Sequence, residues 1–168
     1  MKRALDVVAS GAGLVALAPL FGLIALLIKL DSQGPVFFKQ KRMGRGFRPF
    51  RIYKFRTMRQ NTAGTLQLTV GDDARITRVG RFLRRSKLDE LPQLFNIFIG
   101  DMTLVGPRPE VPRYVEAFRR DYEEILTVRP GLTDLASLKY CDEATLLGAS
   151  VDAEDEYLHR VLPDKIRL

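Results

Sequence analysis

A chain of 168 residues, 46% hydrophobic and 28% charged, has room for one domain and an apolar anchor. Its single cysteine, Cys141, excludes an internal disulfide framework, and the lone His159, with no second histidine or cysteine pair, argues against a zinc site. Net charge is +7, but residues 39–87 alone carry +13 (15 Lys and Arg against Asp72 and Asp73), a basic run suited to nucleic acid, a phospholipid surface or a phosphorylated substrate.

From Val7 to Ile28 no residue is charged. As a straight helix this run would reach about 33 Å, enough to cross a hydrocarbon core of about 30 Å. It is too long for a signal peptide, and no small-residue cleavage site follows Leu30. Pro19 interrupts it, because proline removes a backbone donor and clashes with the preceding turn. Gly11, Gly13 and Gly22 loosen it further. Both flanks are basic, with Lys2 and Arg3 before the run and Lys29, Lys39, Lys41 and Arg42 after it. Two basic flanks favour both ends on the cytoplasmic face, so residues 1–33 are predicted to form a re-entrant membrane hairpin broken at Pro19. A kinked span is the alternative.

After the Gly34-Pro35 turn, Val36–Phe38 and Phe50–Arg56 are predicted to be strands, with GRGFRP as the loop between them. Residues 59–73 are polar and predicted to form a loop. Thr77 is placed to cap a helix running to Arg85, with Val79, Phe82 and Leu83 inward and Arg78, Arg81, Arg84 and Arg85 along another stripe. A second helix is predicted over Leu88–Ile99, ended by Gly100, and a third over 112–126, before the VRPG turn. Residues 88–168 are acidic, with 16 Asp and Glu against 9 Lys and Arg. The expected fold is therefore α+β: a compact, mostly helical domain over 34–168 with short strands, carried on the hairpin. Leu168 closes no recognisable terminating element, so a longer chain is compatible with the sequence.

Chemistry concentrates in KLDELPQLFNIFIGDMTLVGPRPE. Pro92 belongs in the first turn of a helix, which places Asp89 and Glu90 at its N-terminus. There the dipole would keep carboxylates ionised and the free N–H groups would attract phosphate; equally, Asp89 would serve as a plain cap. Arg108, held between Pro107 and Pro109, is a stiffly mounted guanidinium suited to bidentate phosphate binding, or an exposed loop residue. Tyr53-Lys54-Phe55-Arg56 and the arginine stripe add positive charge, for phosphate or for anionic lipid headgroups.

In this order, the broken hydrophobic hairpin, YKFRTM, RITRVGRFLRRSKLDELPQL, GDMTLVGPRP and VRPGLTDLAS resemble the monotopic phosphoglycosyl transferases, the bacterial sugar transferase family that initiates lipid-linked glycan assembly. The resemblance covers nearly the whole chain. It implies that Asp89 attacks the β-phosphate of a UDP-sugar, that UMP leaves, and that polyprenyl phosphate takes the sugar phosphate from the carboxylate. It implies Mg²⁺ held by Asp89, with Glu90 as an adjacent base or a support for the metal site. Lys54, Arg56, Arg84, Arg108 and Arg78 fall at positions that bind phosphate or nucleotide in the family. The implied location is the bacterial inner membrane, monotopic, with the catalytic domain on the cytoplasmic face against membrane phospholipids. No nucleic acid is implied, and a homodimer is compatible.

Two stretches depart from the family's pattern. Ala18 stands where a serine often precedes the breaking proline, leaving Ser10 or water to satisfy freed backbone groups. After VRPG, Leu132-Thr133-Asp134-Leu135-Ala136-Ser137 replaces a TGW-type segment, which points to a subgroup with a different sugar. Two other functions compete with transfer: a basic module that only docks on lipid or nucleic acid, and a hydrolase using the same carboxylates with water.

Overall fold

Pro19 decides the shape of the N-terminus. In the computed structural model, which describes residues 1–59, 73–141, 143–148, 150 and 152–168, helix α1 (Lys2–Ala16) stops at Leu17, whose φ of −90° and ψ of 0° leave the helical region. Helix α2 (Ala18–Asp31) then starts with Pro19 in its first turn, where a missing N–H costs nothing. The two axes differ by 59°; among the described residues no single helix is long and apolar enough to cross a membrane, whereas the bent pair together is. The expected break at Pro19 is thus present.

The two helices meet the rest of the chain differently. α1 lays Gly11 and Gly13 against Phe98 and Leu94, where an added Cβ would sit 3.2 and 3.3 Å from those rings and methyls. Its polar residues are also tied down. Asp6, 3% exposed, accepts hydrogen bonds from the Thr103 hydroxyl (2.8 Å) and the Leu104 N–H (3.1 Å). Arg3 donates to the Ile97 and Phe98 carbonyls, and Lys2 to the Val105 carbonyl. Ser10, proposed to satisfy the break, does not reach it: its hydroxyl donates to the Asp6 carbonyl at 2.6 Å in the preceding turn of its own helix. α2 buries only Ile24 and Ile28 and exposes Leu23, Leu26, Leu27 and Leu30.

Strands β1 (Phe37–Met43) and β2 (Pro49–Phe55) form an antiparallel hairpin with Phe37 opposite Phe55 and Met43 opposite Pro49. Both strands are longer on the hairpin side than their apolar runs suggested, because the turn is tight. Gly46 (φ 65°) and Phe47 (φ 59°) reverse the chain in the left-handed region. Phe55 lies in the core formed by Ile24, Ile28 and Leu83, edge-on to Phe21.

Helix α3 (Arg78–Arg85) starts as expected, with the Thr77 hydroxyl accepting from the Gly80 N–H at 2.9 Å. Leu83 points inward, but Phe82 is 64% exposed, a correction to the predicted inner face. Phe82 lies about 100° around the helix from Leu83, off the face that Val79 and Leu83 share at i, i+4 spacing. The predicted helix over Leu88–Ile99 is also divided. Leu88–Glu90 is a single 3₁₀ turn, and α4 (Gln93–Ile99) follows Pro92, which lacks the N–H that would continue the ladder. Gly100 (φ 101°) ends α4 as predicted. Buried Asn96 locks α4 to β2, accepting from the Tyr53 N–H and donating to the Arg51 carbonyl.

Strands β3 (Thr103–Val105) and β4 (Gly131–Thr133) pair in parallel, a feature too short to show in the sequence pattern. The helix expected over 112–126 divides at Phe118 (φ −117°, ψ 37°) into α5 (Pro112–Ala117) and α6 (Arg119–Ile125). Helices α7 (Leu135–Lys139), α8 (Glu143–Gly148), α9 (Ala153–Glu156) and α10 (Leu162–Ile166), with a π turn over Tyr157–Val161, close a core of Val111, Tyr114, Leu147 and Tyr157. The architecture is α+β and helix-rich with short strands, as expected. The loop predicted over 59–73 lies outside the described residues except at its two ends.

Candidate active site

Asp89 and Glu90 do not begin a long helix. They occupy the 3₁₀ turn, which the chain enters through Lys87 in the left-handed region (φ 56°, ψ 14°). A three-residue turn has little macrodipole, so the predicted helix-terminal field is not what sets their charge. Burial and neighbouring side chains set it instead.

Glu90 is fully engaged. Its Oε1 accepts from Lys54 Nζ at 2.7 Å and from Arg108 Nη2 at 2.5 Å, and its Oε2 accepts from Arg108 Nη1 at 3.3 Å. Burial would raise its pKa, but Lys54 and Arg108 outweigh that and hold it far below the usual carboxylate range. So weak a base is poorly suited to abstract a proton. Burial lowers the Lys54 pKa despite Glu90, whereas Glu90 outweighs burial at Arg108 and raises it.

Asp89 has the opposite character. It is 8% exposed, and no hydrogen bond or ion pair among the described residues ties up its carboxylate. Burial, reinforced by the Glu90 charge, raises its pKa against the pull of Lys54, Arg84 and Lys87. The turn therefore carries two adjacent carboxylates, one spent on holding cations and one still available to an electrophile. Arg84 flanks it from α3, where its Nε donates to the Thr57 hydroxyl at 2.9 Å. Thr57 in turn touches α3 closely: a Cβ on Gly80 would lie 2.1 Å from the Thr57 carbonyl oxygen.

Of the predicted phosphate ligands, Lys54, Arg84 and Arg108 converge on this turn. Arg56 is placed elsewhere. Its buried guanidinium donates to the Gln33 and Ser32 carbonyls (2.8 and 2.7 Å) and to the Ser32 hydroxyl, capping the end of α2. Lys54 lies within β2 and Arg56 just beyond its end at Phe55, so the strand's alternation, which would put positions 54 and 56 on one face, no longer sets the direction of Arg56. Arg78 is an exposed residue at the start of α3, and among the described residues no hydrogen bond or ion pair links it to the carboxylates.

Sequence reasoning also missed a supporting residue. The Arg108 N–H donates to Asp134 Oδ2 at 2.8 Å, while Asp134 Oδ1 caps α7 by accepting from the Ser137 N–H at 2.7 Å. Asp followed by an apolar run is a helix-start signal, and it was legible in LTDLAS. No group of three or more His, Cys, Asp or Glu converges among the described residues. Asp89 is thus the carboxylate with oxygens to spare, a donor set that fits a hard divalent cation held chiefly by substrate oxygens.

The family model described as bacterial sugar transferase matches residues 1–162. A UDP-N-acetylgalactosamine-undecaprenyl-phosphate N-acetylgalactosaminephosphotransferase of Aeromonas hydrophila is 43% identical over 161 residues, 92% of this chain and 36% of that protein. A UDP-glucose:undecaprenyl-phosphate glucose-1-phosphate transferase of Caulobacter vibrioides is 49% identical over 143 residues, 82% of this chain and 53% of that protein. The exopolysaccharide production protein PSS of Rhizobium leguminosarum is 44% identical over 148 residues, covering 83% of this chain and 74% of that one. The chain therefore spans about a third of the first of these relatives and about half of the second.

Proposed function

The chain belongs to the bacterial sugar transferase family, and from that premise we propose that it moves a sugar 1-phosphate from a UDP-sugar to undecaprenyl phosphate, releasing UMP. The observation that carries this reading is the unequal carboxylate pair, with Glu90 saturated by Lys54 and Arg108 and Asp89 uncommitted among cations. The names of the relatives support the substrate classes.

In the proposed reaction an Asp89 oxygen attacks the β-phosphorus of the UDP-sugar. The bond from that phosphorus to the bridging oxygen breaks, and UMP leaves with the electron pair. The acceptor phosphate oxygen then attacks the same phosphorus and releases Asp89. Two displacements replace one difficult encounter between two weakly nucleophilic anions. The raised pKa of Asp89 makes its ionised form more basic, and so more nucleophilic, than an ordinary aspartate. Arg108, aligned by Glu90, and Lys54 and Arg84 are positioned to hold phosphate oxygens. Asp89 would hold Mg²⁺ together with those oxygens; the ion supplies charge neutralisation of the diphosphate.

The apolar, bent α1–α2 pair supports a re-entrant hairpin in the cytoplasmic membrane, with the Asp89 turn on the cytoplasmic face. A unique cysteine at position 2 in a Cys141→Ser background, challenged from outside with an impermeant maleimide, tests this; labelling in intact cells would establish a span instead. The reaction itself is tested by UMP release from UDP-sugars in the presence and absence of undecaprenyl phosphate. Release that is independent of the acceptor and continues past one equivalent would make the protein a hydrolase.

A further inference from the structure

Two hydrogen bonds link one short segment to both flanks of the Asp89–Glu90 turn. At its start, Asp134 uses one oxygen for the Arg108 N–H and the other for the cap of α7. At its end, the Cys141 carbonyl accepts from Lys87 Nζ at 2.8 Å. Lys87 is the residue whose left-handed backbone turns the chain into the 3₁₀ segment, a conformation that non-glycine residues seldom adopt unaided.

The segment between these ties is well held. On one side, the β3–β4 pair brings the Arg108 loop and the segment together. The Gly106 N–H donates to the Thr133 carbonyl and the Gly131 N–H to the Pro107 carbonyl. A Cβ on Gly131 would lie 2.2 Å from the Gly106 nitrogen, so only glycine permits the approach. On the other side, the Tyr140 hydroxyl (2.5 Å) and Lys139 Nζ (2.6 Å) both donate to Asp164 Oδ2 on α10. The strap is thus pinned to the C-terminal helices and touches the Arg108 loop at one end and Lys87, at the entry to the active turn, at the other.

We propose that residues 134–141 are a positioning strap for the transfer reaction. Asp134 sets the backbone of Arg108, and the Cys141 carbonyl sets Lys87 and with it the Asp89–Glu90 turn. This rests on the reading of Asp89 and Arg108 given above. Its physical basis is that a guanidinium or nucleophile displaced by about 1 Å loses most of its advantage, so a rate can depend on residues that touch no substrate. The LTDLAS stretch, set apart by its departure from the family's pattern, thereby acquires a role in the chemistry.

Three variants test it: Asp134→Ala, Asp134→Asn and Lys87→Met, each assayed for UMP release and for amide hydrogen exchange of the full-length protein. Asp134→Ala is expected to lower kcat/KM tenfold or more and to speed exchange in residues 106–110 and 86–91. Asp134→Asn keeps one acceptor for the Arg108 N–H and should recover most of the rate. Lys87→Met should speed exchange at 86–91 and leave 106–110 unchanged. In an Arg108→Lys background, Asp134→Ala should cost less than twofold, because its effect passes through the guanidinium already removed. An equal loss in both backgrounds, or unchanged exchange at 86–91 in Asp134→Ala, would overturn the strap and leave Asp134 as a helix cap. The exchange readout does not depend on turnover. An enzyme that releases no UMP but shows the predicted exchange pattern would therefore sink the proposed reaction without touching the mechanical link.

Discussion

Glu90 and Glu110 make similar contacts and have opposite surroundings. Each accepts from a cation of the β1–β2 hairpin, Lys54 for Glu90 and Arg42 for Glu110, at 2.7 and 2.8 Å. The Glu110 carboxylate is fully used: the Tyr157 hydroxyl and the Val111 N–H also donate to it, and Arg42, whose Nε is buried without a partner among the described residues, also binds the Gln40 side chain. Glu90 is equally used, but Asp89 beside it is not. Lys54, Arg84 and Arg108 surround a turn in which Asp89 has no hydrogen-bond or ion-pair partner among the described residues. A saturated ion pair holds two elements together, whereas a buried carboxylate that makes no hydrogen bond or ion pair among the described residues, set beside cations, suits a charged ligand.

Removing the open carboxylate should break this contrast most sharply. Asp89→Asn is expected to lower UMP release at least a thousandfold, about 4 kcal/mol in the transition state. Trapping a phosphosugar on the Asp89 peptide by mass spectrometry gives the direct check. The same substitution should slightly raise Tm at neutral pH. Folding raises the Asp89 pKa, so the ionised group opposes folding above that pKa and ceases to do so as pH falls through it. A fall in Tm would mean that Asp89 is a structural ion pair after all.

Neutralising each glutamate in turn sharpens the comparison. Glu90→Gln and Glu110→Gln should each cost on the order of 2–3 kcal/mol by chemical denaturation, because each strands a partly buried cation. Only Glu90→Gln should also lose turnover per folded molecule, by tenfold or more; Glu110→Gln should stay within about threefold. Acid titration gives a further check on Glu90. Glu90, with its pKa lowered from 4.5, contributes stability that is fully present above that value and is lost as pH falls below it. Glu90→Gln should flatten that part of the stability curve.

Arg108→Lys keeps the charge and removes the two-pronged fit to carboxylate and phosphate. A loss near tenfold in kcat/KM, about 1.4 kcal/mol, is expected. An unchanged rate would return Arg108 to a structural loop. The smallest catalytic effect belongs to Arg56→Gln. It should cost about 2 kcal/mol of stability, read as a lower Tm, by uncapping α2. Its KM for the UDP-sugar should change less than twofold, which distinguishes it from Lys54, the β2 residue that meets Glu90.

Much of this was legible locally. Pro19 forbids a continuous helix wherever the chain goes, Thr77 caps the next N–H it meets, and Gly100 ends α4 with a positive φ. The Asp89–Glu90 pair and Arg108 could be picked out because their motifs occur in register along the chain. Less visible were the three-residue strands β3 and β4, which bring Asp134 to Arg108, and the inward use of Asp6 on α1.

What the sequence determined by itself were features that depend on a few neighbouring residues: the break in the N-terminal helix, the caps, the turn residues and the family motifs. Which cation serves which acceptor was decided only by the tertiary structure. Lys54 and Arg56 are two residues apart and chemically alike, yet one meets Glu90 and the other the end of α2. The carboxylates of Asp89 and Glu90 are adjacent in sequence, yet their pKa values move in opposite directions. Both outcomes follow from groups brought in from distant segments, because electrostatic energy depends on separation in space and on burial, neither of which is written in the order of the residues.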